Sequence, residues 1–304
     1  MSSQAAAQQK TGLMSRIDRK APLIMLGPAV LILMVLSIFP FIYSLWLSFN
    51  ELNLADRNAI WTFVGLKNYI TIFTTDPFFG PAVAATLKFV LGAVAAEMVL
   101  GLAIALLLNR EFRGQGFVRT AVMLPLMTTP VVVGLIWRFM YNPDRGMVNY
   151  LLSLVGVVGP DWLGHPSTAM AAVIFADVWE WTAFVALITL AALQALPGEP
   201  YEAARIDGAS GWQSFRYVTL PLIQPALLIA FLIRLMDAFK TFDLIYVLTL
   251  GGPGVATQTL SLYTYKYGFK FFRMGYASAL AYVMVIAMVI VANVFIIVTK
   301  REKR

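Results

Sequence analysis

Cysteine is absent from the 304-residue chain, histidine occurs once, and charged residues make up only 13% of it. The first absence excludes disulfides and leaves the redox compartment open. Together the two absences leave no evident metal cluster and no nucleophile–base pair, so neither a metal nor a catalytic residue is expected. His165 precedes Pro166 in a loop, where a plain surface role suffices. Also missing is a GxxxxGK[ST] phosphate loop, so the chain is not expected to hydrolyse ATP alone. Low charge is the mirror of an apolar fraction of 60%, which exceeds the roughly half found in ordinary soluble domains. The apolar residues are gathered into runs of about twenty separated by short charged segments, the pattern of an all-α integral membrane protein.

Six spans are expected: Pro22–Ser48 with an interruption at Pro40, Ala82–Leu108, Val118–Phe139, a fourth from Ala169, Leu222–Leu248 and Tyr276–Val298. The net charge of +7 then reflects surplus Lys and Arg in cytoplasmic loops rather than a nucleic-acid partner. With the N-terminus inside, thirteen basic residues fall on the inner side and nine on the outer. The clusters Lys10, Arg16, Arg19, Lys20 and Lys300, Arg301, Lys303, Arg304 flank the first and last spans, so both termini are expected in the cytoplasm. The expected layout is an N-terminal tail over 1–21, a membrane domain over 22–299 and a C-terminal tail over 300–304. The first apolar segment is too long for a cleaved signal peptide. No stretch outside the spans approaches domain length, so the energy source must bind to the chain or diffuse through it. The aromatic segment between the first two spans reads as an interfacial lid or a short helix on the outer face.

The most informative stretch is the cytoplasmic connection over 196–221, "LPGEPYEAARIDGASGWQSFRYVTLP", between the fourth and fifth spans. Glu199 and Glu202 suit the N-terminal end of a helix. Ala203, Ala204, Ile206 and Ala209 supply a small, partly apolar face that calls for a partner. Gly208 is where the chain turns or a partner comes close, and Pro221 fits the start of the next span. A plain amphipathic helix on lipid is the competing reading, weakened because such helices favour Lys and Arg on their polar face.

This segment resembles the EAA loop of permease subunits of bacterial binding-protein-dependent ABC importers. The family pattern is Glu-Ala-Ala, three residues, Gly, nine residues, a hydrophobic residue, one residue and Leu-Pro. Glu202, Ala203, Ala204, Gly208, Val218, Leu220 and Pro221 meet every position. The wider wording is similar to the carbohydrate branch, related to maltose, lactose and glycerol-phosphate permeases. So is Asp237–Phe269, with Phe242, Asp243, Tyr246, Leu248, Thr249 and the turn Gly251, Gly252, Pro253. Unlike the maltose-type first permease, this chain has no large inserted periplasmic domain and no extra preceding spans.

The resemblance implies a type I importer permease fold in a bacterial inner membrane, with a coupling helix between spans four and five seated in an ATPase groove. Glu202, Ala203, Ala204, Asp207, Gly208, Ala209, Leu220 and Pro221 would form that contact. It also implies a second permease, two cytoplasmic ATPase subunits holding the ATP and Mg, and an external solute-binding protein. The transported solute would be a carbohydrate, polyol or sugar derivative, moved by alternating access. An ion-coupled secondary transporter is the alternative.

Ionisable residues inside spans are costly unless they face protein, water or a partner charge. Glu97, Glu180 and Arg234 lie at similar depth, Arg234 about 18 Å into its span at helical rise. Arg234 is expected to pair with Glu180, or else with Glu97. A structural ion pair, a place in the solute path and a gate all remain open for it. Asp177, Glu180 and Trp181, with Trp179 and Thr182, form a pocket candidate of aromatic and polar groups. Asp177 and Glu180 can share a face, from which Trp179 and Trp181 are expected to project away. Asp237 is expected to pair with Lys240 near the outer end, with Asp243 continuing that face.

Overall fold

The computed structural model describes residues 26–56 and 60–301. The expected N-terminal tail and the first residues of the first span lie outside them. Long apolar runs form long helices, because in lipid every backbone polar group must be satisfied within its own segment. Among the described residues, five helices are long and apolar enough to cross a membrane: α1 (Leu26–Ser48), α3 (Phe79–Leu108), α7 (Pro166–Gln194), α9 (Gly211–Lys240) and α12 (Met274–Arg301, apolar as far as Ile297). Shorter helices connect them: α2 (Lys67–Thr74), α4 (Gln115–Met123), α5 (Pro130–Met140), α6 (Met147–Leu154), α8 (Glu199–Ile206), α10 (Asp243–Thr249) and α11 (Leu260–Tyr265). A two-stranded antiparallel ribbon, β1 (Asn50–Glu51) and β2 (Thr62–Phe63), follows α1. With α2 it gives the aromatic segment between the first two spans a short helix and a ribbon.

The third expected span, Val118–Phe139, is the one that is not a long helix. It divides into α4, a 3-10 turn at Pro125–Met127 and α5. Pro130 removes a backbone donor and holds Thr129 extended, so a helix cannot run through. The fifth span also departs from expectation. Its helix begins at Gly211, continues through a π turn at Phe215–Thr219 that absorbs Pro221, and stops at Lys240 rather than Leu248. There the freed Lys240 carbonyl accepts a hydrogen bond from Ser261 Oγ (3.1 Å), and the chain bends into α10. Gly134 of α5 receives Val247 of α10, which fixes the bend.

Helix directions follow from which residues meet. Gly92 faces Ile174 and Gly101 faces Val185, so α3 and α7 run parallel. Ala105 and Leu190 pack with Ile223, while Phe89 and Val173 pack with Leu235 and Phe239, so α9 runs against both. The Tyr282 hydroxyl donates to the Phe41 carbonyl, and Gly275 abuts Asn50, so α12 runs against α1. Two successive parallel helices require the segment between them to return across the bundle. Segment 109–165 does this: Gln115 Nε2 donates to the Leu108 carbonyl at one end (2.6 Å), and the Tyr141 hydroxyl donates to Ala172 O at the other (3.0 Å).

The α3–α7 seam is built from small residues, including Ala85, Ala93, Gly101 and Ala105 on α3 and Ala172, Ala176, Ala183 and Ala186 on α7. In membranes such residues let backbones approach closely, and packing rather than hydrophobic transfer holds the pair. A Cβ on Gly101 would stand 2.6 Å from Val185 Cβ and 3.1 Å from the Ala186 backbone nitrogen. At the end opposite α8, Asp76 accepts hydrogen bonds from the Tyr263 (2.6 Å) and Tyr276 hydroxyls and ties the loop after α2 to α11 and α12. Burial and the Asp76 carboxylate together push the Tyr263 hydroxyl above the usual tyrosine pKa.

Gly101→Ala is expected to destabilise the purified protein by about 1–3 kcal/mol through overpacking. Gly80→Ala, where a Cβ meets open space, should leave the thermal midpoint unchanged. Equal midpoints for the two variants would contradict the close α3–α7 seam.

Candidate functional site

Three helices contribute side chains at one depth. Arg234 on α9 is fully buried, as is Glu97 on α3, and Asp177 on α7 is 1% exposed. The guanidinium grips Glu97 with two parallel bonds, Nε to Oε2 at 2.6 Å and Nη2 to Oε1 at 2.8 Å. Nη2 also donates to Asp177 Oδ2 at 2.8 Å, and Nη1 donates to Asp237 Oδ2 at 2.8 Å. The Trp181 ring lies 4.5 Å from the guanidinium carbon, within cation–π range. Asp237 is shared: its Oδ1 is 3.3 Å from Lys240 Nζ at the rim.

The planar fork explains why arginine fits here, since it offers five N–H groups in fixed directions to several carboxylates at once. A lysine would offer a point charge to one or two of them. Charges removed from water are costly unless this fully paired, and within a span the cost is larger. All three partners carry part of that compensation.

Of the two partners expected for Arg234, the first choice, Glu180, is not bonded to it and the alternative, Glu97, is; Asp177 and Asp237, which were not expected as partners, complete the set. Glu180 is nearly buried, and its Oε2 has no hydrogen-bond partner. Trp181 also departs from expectation, because it shares the Asp177 face. Positions i and i+4 meet on a helix as do i and i+3, so 177, 180 and 181 line one side. Trp179 does project away, packing at 5.8 Å from Trp137. Lys240 pairs with Asp237 as expected.

Beside the network lies a cavity of about 260 Å³ whose walls include Asp177, Glu180, Trp181, Asp237, Lys240 and Asp243. Pro130, Thr241, Phe242 and Leu244 complete it. The break after Lys240 turns Phe242 and Asp243 toward the α7 residues. Pro130 could have been found only by recognising that "LPLMTTP" interrupts the third span and delivers α5 to this depth. Glu97 lies behind the guanidinium and does not line the cavity.

At the other end of the bundle, α8 carries Glu199 and Glu202 in its first turn and Arg205 in its last, the order a helix dipole favours. Gly208 has φ +70°, and the Ala209 amide bonds back to the Ala204 carbonyl at 2.9 Å, so the helix ends where glycine was expected to turn the chain. Ser210 and Gln213 then exchange side-chain and backbone hydrogen bonds in a capping box that starts α9. The Tyr201 hydroxyl reaches Thr219 Oγ1 in the π turn at 3.1 Å. Glu202, Ala203 and Ile206 are exposed, Ile206 to 86%. Pro221 is the second residue of the regular α-helical stretch Leu220–Lys240 of α9, directly after the π turn, where its missing donor was expected to fit.

Residues 97–301 match the family of the binding-protein-dependent transport system inner membrane component. The chain belongs to that family. It is 40% identical to the probable ABC transporter permease protein y4oQ of Sinorhizobium fredii, over 85% of this chain and 83% of that one. It is 37% identical to the trehalose/maltose transport system permease protein MalF of Thermococcus litoralis, over 90% and 92% of the two chains. In fold it is similar to a chain of a bacterial alginate ABC transporter crystallised with an alginate-bound periplasmic protein. That similarity has a TM-score of 0.83 and 23% identity, and covers 96% of this chain and 98% of that one.

Membership decides between the two transport classes that the sequence left open: this is the membrane subunit of a binding-protein-dependent ABC importer, not an ion-coupled carrier. The all-α permease fold expected from the resemblance is present. It is reached with five long spans and one broken segment rather than six long spans.

Thermal unfolding of the purified complex should rank the network. Glu97→Gln leaves a fully buried cation short of its bidentate partner and is expected to cost about 3–5 kcal/mol. Asp237→Asn, at the solvated rim, should cost under about 1 kcal/mol. Arg234→Lys should fall near Glu97→Gln despite keeping the charge. Equal, small effects from all three would show that the network contributes little to the fold.

Proposed function

We propose that the chain crosses the membrane six times, with α4 and α5 together forming the third crossing. The parallel run of α3 and α7 supports this, since the chain between them must return. The α8 end is cytoplasmic, which places both termini inside, in accord with the basic clusters flanking the first and last spans. The solute is a carbohydrate, polyol or sugar derivative, a reading supported by the trehalose and maltose named for the Thermococcus relative.

The observation that carries the reading is α8 itself. It is a short, solvent-facing helix with an exposed isoleucine and acidic first turn, closed by Gly208 and fastened to α9 through Tyr201 and Thr219. Such a surface requires a cover, and an ATPase groove supplies one. Glu202, Ala203, Ala204, Asp207, Gly208 and Ala209 form the contact, while Leu220 and Pro221 carry it into α9. A second permease completes the membrane unit, and two ATPase subunits hold ATP and Mg. The solute-binding protein delivers its cargo at the opposite end. The cavity at Asp177, Glu180, Trp181, Asp237 and Asp243 is this chain's share of the solute path. Arg234 and Glu97 hold its walls. ATPase closure pulls on α8, the pull passes along α9, and the cavity walls change sides.

Copurification from native membrane tests the contact. Wild-type chain should bring a second permease and an ATPase, and Glu202→Ala combined with Gly208→Asp should lose the ATPase while keeping the permease. At φ +70° an aspartate is strained as well as charged. Unchanged ATPase recovery from the double variant would sink the coupling role of α8.

A further inference from the structure

The cavity carries an imbalance of charge. Four of the five N–H groups of Arg234 are already donated to Glu97, Asp177 and Asp237, and Trp181 covers its face. The guanidinium is therefore closed to a solute. Asp177, Glu180, Asp237 and Asp243 line the space against a single cation, Lys240, which is itself held by Asp237. Glu180 is 2% exposed, and its Oε2 lacks any hydrogen-bond donor. A buried acceptor without a donor is costly; Glu180 borders the cavity, so a rotation of its carboxylate toward that space would let an occupant supply the donor.

Resting on the solute-path reading above, we infer that this cavity selects by charge. It takes uncharged or cationic hydroxyl-rich solutes and turns away carboxylated, phosphorylated and sulfonated ones, with Glu180 as the specificity-determining residue. Hydroxyl and ammonium groups donate hydrogen bonds to the free carboxylate oxygens. An anionic solute would bring further acceptors and negative charge to walls that are short of donors and already acidic. Whatever protons the carboxyls share, no unpaired positive group waits for an anion. Rejection of like charge by a pocket of this kind is a recognised source of specificity.

The absence of native cysteine allows a test that does not require the solute. Thr241→Cys places the chain's only thiol on the cavity wall. In the full complex in membranes, its labelling rates are measured with methanethiosulfonates carrying trimethylammonium or sulfonate groups. They are followed on this chain's own band and expressed as a ratio relative to a small free thiol. The ratio should favour the cation on the order of tenfold, the effect of about one uncompensated charge ~5 Å away in a water-like dielectric. It should fall in the Thr241→Cys background with Glu180→Gln or Asp243→Asn added. A ratio at the free-thiol value, or one that Glu180→Gln leaves unmoved, would overturn the inference. So would a thiol that neither reagent reaches, since such a cavity admits no sugar. The expected ratio from a complex that brings down no ATPase would fault the importer reading instead, and a flat ratio from a complex that retains the ATPase would fault only the charge selection.

Discussion

The structure depends on one buried guanidinium. Arg234 joins α3 through Glu97, α7 through Asp177 and its own helix through Asp237, at a depth where an unpaired charge would be untenable. The small-residue seam between α3 and α7 is what lets two carboxylates from different helices converge on one arginine. The same convergence gathers the carboxyls that line the neighbouring cavity. Packing, ion pairing and the character of the candidate solute site therefore have a common origin, and substitutions at any one of them should be felt in the other two.

A second consequence is mechanical. Helix α9 runs from Gly211 to Lys240, about 45 Å at helical rise. Its first turns are tied to α8 by Tyr201 and Thr219, and its last turns carry Arg234 and Asp237. In the proposed mechanism a displacement of α8 reaches the cavity through one continuous element. The π turn at Phe215–Thr219 is the place in that element where the hydrogen-bond ladder is already irregular and can change at low cost. On that proposal, binding-protein delivery and ATPase closure would act on opposite ends of one lever.

Much of this was legible in the sequence because lipid imposes simple rules. Long, predominantly apolar runs such as Phe79–Leu108 announce their helices, and a glutamate at position 97 or an arginine at 234 announces a partner. The turn at Gly208 was readable because glycine alone enters the left-handed region cheaply. Less legible were features set by tertiary contact. Pro125 and Pro130 break the third span and let Gly134 of α5 receive Val247, which an apolar count does not reveal. The stop at Lys240 depends on Ser261, distant in sequence. Depth alone identified Glu180 and Glu97 as partners for Arg234 and ranked them in the reverse of the observed order. In the structure Glu97 meets the guanidinium, while Glu180 borders the cavity.

The central claim is that the two ends of this bundle meet different partners, an ATPase at α8 and a solute-binding protein at the opposite end. Photo-crosslinking in native membranes tests it most directly, with a photoreactive residue at Ile206 of α8 or at Val158, which is 95% exposed in the loop after α6. The account predicts an ATPase subunit crosslinked from position 206 and an external solute-binding protein from position 158. Exchange of the two partners, or lipid alone at position 206, would contradict it.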